Sequence, residues 1–223
     1  MNFTRLQISV FLGVAAMAWA AVLHFQGVPL TLAHLTPFGT VVGVLALAAL
    51  LLEHVLWRQR WLHGWFVNRP NLRGTWKVEL HSDWIDPISG VTIPPITGFM
   101  GVEQTLSALQ MHFMTPDSES WFVAHSIRSS PSQNGYQIVG VYTNKPNVHL
   151  RSSTSNMHLG AVVIDSHGEF KGIPTTLTAE YWTDRKTTGR MTLTDRSRTV
   201  FTRFEDARRD FDMSAEGAGG SLR

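Results

Sequence analysis

Arg185, Lys186, Arg190, Arg196, Arg198 and Arg203 crowd one stretch with only Asp195 between them in return. A local excess of positive charge of this kind attracts an anion. Catalytic signatures are absent: the ten histidines include no His-Glu-x-x-His, and no Gly-x-Ser-x-Gly, phosphate-binding loop or dinucleotide-binding glycine fingerprint occurs. His112 and His125 on neighbouring strands are the one candidate metal pair, but no third ligand accompanies them, so no metal is named. Zero cysteines exclude disulfide frameworks and cysteine metal or redox sites, and suit a reducing cytoplasm. A formal charge of +2 is too small for coating nucleic acid, so no polymeric nucleic acid is expected as a partner. The residues point to a binding protein rather than an enzyme.

The elements that carry these groups are strands. From Asn71 onward the apolar period becomes two: Trp76, Val78, Leu80, Ser82 and Trp84 alternate with Lys77, Glu79, His81 and Asp83. Further strands are predicted at 97–114, 119–129, 135–144, 156–165, 175–184, 188–195 and 198–205. Turn signals separate them: residues 87–95, Thr115-Pro116-Asp117-Ser118, residues 131–135, Lys145-Pro146-Asn147, His167-Gly168 and residues 186–189. Short strands in an up-and-down series imply an eight-stranded antiparallel barrel, because closure removes exposed edges; a sandwich is the alternative. Counting strand ends, the rim that starts with Gly74 and Trp76 also receives residues 115–120, 142–147, 155–158, 181–189 and Phe204.

Ahead of the strands, no Asp, Glu, Lys or Arg occurs from Leu6 to Leu52. Residues 27–37 divide this run into two helical blocks, 6–25 and 38–57. About twenty residues at roughly 1.5 Å rise cover a bilayer core of roughly 30 Å. A transmembrane hairpin follows, since a helix satisfies its own backbone in lipid. A cleaved signal peptide and a buried soluble hairpin are the alternatives. Arg5 before the hairpin and Arg58, Arg60, Arg69 and Arg73 after it place both termini in the cytoplasm. Trp57, Trp61, Trp65 and Phe66, interleaved with Arg58, Arg60 and His63, form an interfacial belt, where Glu53 and His54 also fall. Gly39 and Gly43 give a Gly-x-x-x-Gly face for close helix approach. The expected layout is a hairpin at 1–57, an interfacial linker at 58–70, a barrel at 71–206 and a disordered tail at 207–223.

Leu72-Arg73-Gly74-Thr75-Trp76, Val102-Glu103-Gln104-Thr105, Asn156-Met157-His158-Leu159-Gly160, and above all Tyr181-Trp182-Thr183-Asp184-Arg185 followed by Thr188-Gly189, occur in that order after a two-helix hairpin. This arrangement resembles the two-transmembrane, β-strand-rich effectors of bacterial CBASS antiphage operons. The likeness runs from Leu6 to about Phe204. It implies a lipocalin-like barrel in the cytoplasm, anchored in the inner membrane, that senses a cyclic nucleotide made by a partner CD-NTase. It further implies ligand-promoted homo-oligomerisation, disruption of the bilayer, and death or arrest of the infected cell. The activating ligand is the only small molecule implied; no cofactor is.

A cyclic dinucleotide needs donors for two phosphodiesters and aromatic faces for two bases. Tyr142, Tyr181 and Trp76 supply rings near the expected rim, and Arg185, Arg190, Thr183, Ser120, Asn144 and His158 supply donors. In the strand 177–183, Tyr181 and Thr183 share one face while Glu180 and Trp182 share the other. Each group has a plainer role: Tyr181 as core, His158 as a satisfied structural histidine, Arg185 as a turn residue, and Asp184 and Thr188 as turn caps. Gly74-x-Trp76 also resembles the first strand of lipocalin-type barrels, which implies that Trp76 plugs a closed end with an arginine, Arg203, packed on it. A constitutive membrane-anchored carrier of lipid or another small molecule is the competing function.

Overall fold

The computed structural model describes residues 5–28, 32–86, 90–129, 135–147, 157–168 and 172–219, with side chains at 5–12, 32–38, 40 and 217–219 left aside. Parts of the expected turns at 87–95 and 131–135, and Ser155 and Asn156 of the expected rim, lie outside these residues. The chain divides into two compact units, residues 1–59 with 105–108, and residues 60–104 with 109–223.

The first unit holds α1 (Arg5–Phe25) and α2 (Leu32–His54). The second helix begins six residues before the expected 38 and ends before the expected 57. Among the described residues, no helix is long and apolar enough to cross a membrane.

The second unit is a closed antiparallel barrel in strict chain order: β1 (Gly74–Ser82), β2 (Ile96–Gln104), β3 (Leu109–Met114), β4 (Ser118–Ser129), β5 (Tyr136–Pro146), β6 (His158–His167), β7 (Thr176–Thr183) and β8 (Thr188–Ser197). β8 returns to pair with β1, which leaves no free edge. Alternate side chains turn inward, and Trp76, Val78, Met100, Val102, Met111, Ile138, Ile164, Leu177 and Leu193 fill the interior.

Two strand assignments require correction. The stretch 97–114 is two strands, broken at Thr105–Ala108, where Thr105 and Ala108 exchange backbone and hydroxyl bonds. No Gly or Pro marks this turn. The stretch 198–205 is not a strand. It crosses the barrel end, held where the Thr75 hydroxyl donates to Thr199 O (2.8 Å) and accepts from Phe201 N (2.9 Å), and then enters α3 (Phe204–Gly219). The two errors offset each other in the strand count but not in the strand ends. With one turn missed, the ends from Thr115 to Gly189 are assigned to the wrong rim, while Phe204, past the spurious strand, does fall at the Gly74 end. Thr115, Ser118, Asn144, His158 and Thr183 sit at the rim of Ser82 and Ile96, opposite Gly74 and Trp76.

The tail expected to be disordered over 207–223 is helical as far as Gly219, and residues 220–223 lie outside the described residues. Phe204, Ala207 and Phe211 recur at helical spacing on one face, and Phe204 and Phe211 pack on Phe99 at ring separations of 5.3 and 5.2 Å. Glu205 and Asp206 in the first turn complement the positive end of the helix dipole.

At the Gly74 end the barrel is plugged. Trp76 is fully buried and donates through Nε1 to Leu72 O (2.9 Å). The arginine over its ring is Arg196, at 5.4 Å, rather than Arg203. Arg196 lies on β8 beside Trp76 and also donates to Asn71 O (2.7 Å), whereas Arg203 falls past the last strand. Gln104 completes the plug, accepting from Leu72 N and donating to Pro70 O, both at 2.8 Å.

Candidate functional site

The opposite end is open and leads into a cavity of about 240 Å³. Its floor is apolar, made by Met100, Met111, Val162 and Met191, with Leu80 and Ile96 higher on the wall. Four rings stand above it: Phe113, Phe122, Tyr142 and Tyr181. Each lies across a glycine on a neighbouring strand. A Cβ on Gly160 would fall 2.3 Å from Tyr142 Cζ, and one on Gly189 would fall 2.6 Å from the Tyr181 ring. These glycines are cross-strand partners of the tyrosines they support. The missing side chains are what let the rings lie flat against the wall.

Polar groups form the rim. Asn144 Nδ2 donates to Ser120 Oγ (2.9 Å) and Ser118 Oγ (3.2 Å), which fixes its amide across the β4–β5 pair. His158 is the cross-strand neighbour of Asn144 on β6. The hydroxyls of Thr183 and Thr187 lie 2.6 Å apart, and Thr183 Oγ1 also accepts from the amides of Arg185 and Thr187 at 3.3 Å. Asp117 stands at the same rim. Burial pushes the Tyr142 phenol well above its ordinary value, with Tyr181 and Asp184 adding to it. Burial also raises the Tyr181 phenol, Asp83 adds to this, and a hydrogen bond with Ser82 opposes it. Both phenols are therefore neutral donors at neutral pH.

Of the residues expected from sequence, Tyr142, Tyr181, Thr183, His158, Asn144 and Ser120 line this one cavity. Arg185 is exposed in the β7–β8 turn directly after Thr183. Arg190 lies on the outer wall, exposed between buried Gly189 and Met191, and its strand partners are Glu180 and His81. Among the described residues no lysine or arginine lines the cavity. Trp76 belongs to the plug. Asp184 and Thr188, expected as turn caps, bond across strands instead: Asp184 accepts from Leu159 N (3.2 Å) of β6, and Thr188 Oγ1 donates to Asp83 (2.8 Å) just past β1. His112 and His125 do not meet: His112 stacks on Trp121 at 5.0 Å and His125 on Phe122 at 6.4 Å. Sequence reasoning missed Phe113, Phe122 and Thr187. Alternation along β4 carries the signal for Phe122, since Ser118, Ser120 and Phe122 share a face.

No curated protein matches the chain. The family model described as Cap15, cyclic dinucleotide receptor domain, matches residues 67–195, from ahead of β1 to near the end of β8. That match takes in the whole cavity wall, and the chain belongs to the Cap15 family of CBASS effectors, with the barrel as its cyclic dinucleotide receptor domain.

Proposed function

We propose that the cyclic dinucleotide enters the open end of the barrel, with its bases against Tyr142 and Tyr181 and its polar groups on Ser120, Asn144, His158 and Thr183. The observation that carries this is the convergence of those six side chains on one cavity. A volume of about 240 Å³ falls short of the roughly 300–1,000 Å³ of drug-sized sites. The ligand is then only partly enclosed, and its phosphates stand at or above the rim. There Arg185, in the exposed β7–β8 turn, supplies the cation that the lining lacks. A carrier of alkyl chains would use the apolar floor but would leave the rim amide and hydroxyls without a role.

Occupancy then promotes assembly of the N-terminal hairpins in the inner membrane, and the assembled hairpins disrupt the bilayer. What supports a spanning hairpin is the sequence, in which no Asp, Glu, Lys or Arg occurs from Leu6 to Leu52. Trp61, Trp65 and Phe66 are 64, 70 and 54% exposed, and bulky rings of this kind settle at a bilayer interface. Full-length protein in dye-loaded vesicles of phosphatidylethanolamine and phosphatidylglycerol tests this. Addition of cyclic di-AMP, cyclic di-GMP, cyclic di-UMP or cyclic UMP–AMP is expected to release dye with at least one of them. Binding without release by any would refute the membrane step.

A further inference from the structure

We propose that Glu53 couples the receptor to its hairpin, by gripping the turn between the two strands that wall one side of the cavity; this rests on the function proposed above. Glu53 is the sole Asp, Glu, Lys or Arg between Arg5 and Arg58. An acid at the end of so apolar a helix is costly unless it is paired. Its Oε1 accepts from Thr105 Oγ1 (2.5 Å), Ser107 Oγ (2.6 Å) and Ser107 N (3.1 Å). Leu106 N donates to Glu53 O (3.1 Å), so both the side chain and the backbone of this residue hold the turn. Residues 105–108 group with the helices rather than with the strands they join.

A solvated helix end does not require three donors on one carboxylate oxygen. Moreover, the turn has neither Gly nor Pro to shape it, and it is closed by bonds between Thr105 and Ala108. The strands leaving it are continuous with the site. Ile96 and Met100 of β2 and Met111 and Phe113 of β3 face the cavity, and the two strands pair without a register break from Phe99–Met114 to Gln104–Leu109. A ligand that displaces Phe113 or Met100 moves this hairpin as one piece, and the turn transmits the movement to the last turn of α2. Glu53 is thus a positioning residue for the response, not a ligand contact.

The test separates binding from response in full-length protein. Cyclic dinucleotide binding, with the same four nucleotides, and vesicle leakage are measured for wild type, Glu53→Ala, Glu53→Gln and the double variant Thr105→Val/Ser107→Ala. Glu53→Gln keeps the accepting oxygen. The expected result is affinity within about twofold of wild type in all four proteins. Leakage should fall about tenfold in Glu53→Ala and in the double variant, inside the roughly 5–150-fold range of couplings between sites, and should largely return in Glu53→Gln. Leakage within twofold of wild type in both disrupted variants overturns the proposal. So does a loss of binding that matches the loss of leakage, which marks a folding defect. Because the double variant leaves the helix sequence intact, a failure of Glu53→Ala to insert does not remove the test. A wild type that binds but never releases dye overturns the proposed function instead, and shows in the wild-type arm alone.

Discussion

Tyr142 and Tyr181 each need two things from the chain: an inward position on a strand and a glycine opposite. Alternation made the first visible for Tyr181 and Thr183. The second was hidden, since Gly160 and Gly189 acquire meaning only through the pairings Tyr142–Gly160 and Tyr181–Gly189. Removing a stacking ring costs about 1–3 kcal/mol, so Tyr142→Ala and Tyr181→Ala are each expected to weaken cyclic dinucleotide binding roughly 5- to 150-fold in a calorimetric titration. Gly160→Ala should weaken it comparably without touching a ligand contact, because the added Cβ displaces Tyr142 from its seat; overpacking should also cost about 1–3 kcal/mol of stability in urea. As both phenols lie above their ordinary value of 10.0, they remain donors through neutral and mildly alkaline pH. Binding that falls between pH 7 and 9 in step with phenol ionisation would contradict their role. Arg185 and Arg190 show the limit of reading residues by type. The charge excess over 185–203 does not converge on the cavity: strand phase puts Arg190 on the outer wall, and Arg196 belongs to the plug at the other end.

Among the elements, the turn at 105–108 and the helix after β8 were the least legible. A turn without Gly or Pro, stabilised by Glu53 from a distant part of the sequence, leaves no local signal, so two strands read as one and the residues of the cavity rim were assigned to the plugged end. The Gly-, Ala- and Ser-rich tail hid the Phe204–Ala207–Phe211 stripe for a similar reason, because composition outweighed spacing. Phe211→Ala is expected to lower stability by about 2 kcal/mol, less than the roughly 3–5 of a fully buried phenylalanine, measured by denaturant unfolding. On β3 and β4, burial holds His112 below its ordinary 6.5 despite Glu119, whose Oε2 lies 3.9 Å away, and burial with Arg69 lowers His125. Groups with depressed folded values bind more protons when unfolded, so their contribution is present above about pH 6.5 and is lost as pH falls through the folded values. Denaturation midpoints should therefore drop from pH 7.5 to pH 5, and His112→Phe should flatten that slope. An equal drop in the variant would assign the effect elsewhere.

For the whole molecule, closure follows from the order of pairing. Each strand meets its sequence neighbours and β8 meets β1, which was readable from the evenly spaced turns and the period of two. The plug of Trp76, Arg196 and Gln104 leaves one end open, and the six converging side chains lie there. The proposed effector mechanism depends first on whether that end takes a cyclic dinucleotide. The most direct measurement is a thermal-shift titration of full-length protein in detergent with cyclic di-AMP, cyclic di-GMP, cyclic di-UMP and cyclic UMP–AMP, run beside Tyr181→Ala. Ligand at one hundred times its dissociation constant stabilises by about 2.7 kcal/mol, a shift of several degrees. That shift is expected with at least one nucleotide in the wild type, and its loss in Tyr181→Ala at the same concentration. An equal shift in both proteins, or none with any nucleotide from a folded wild type, would contradict it.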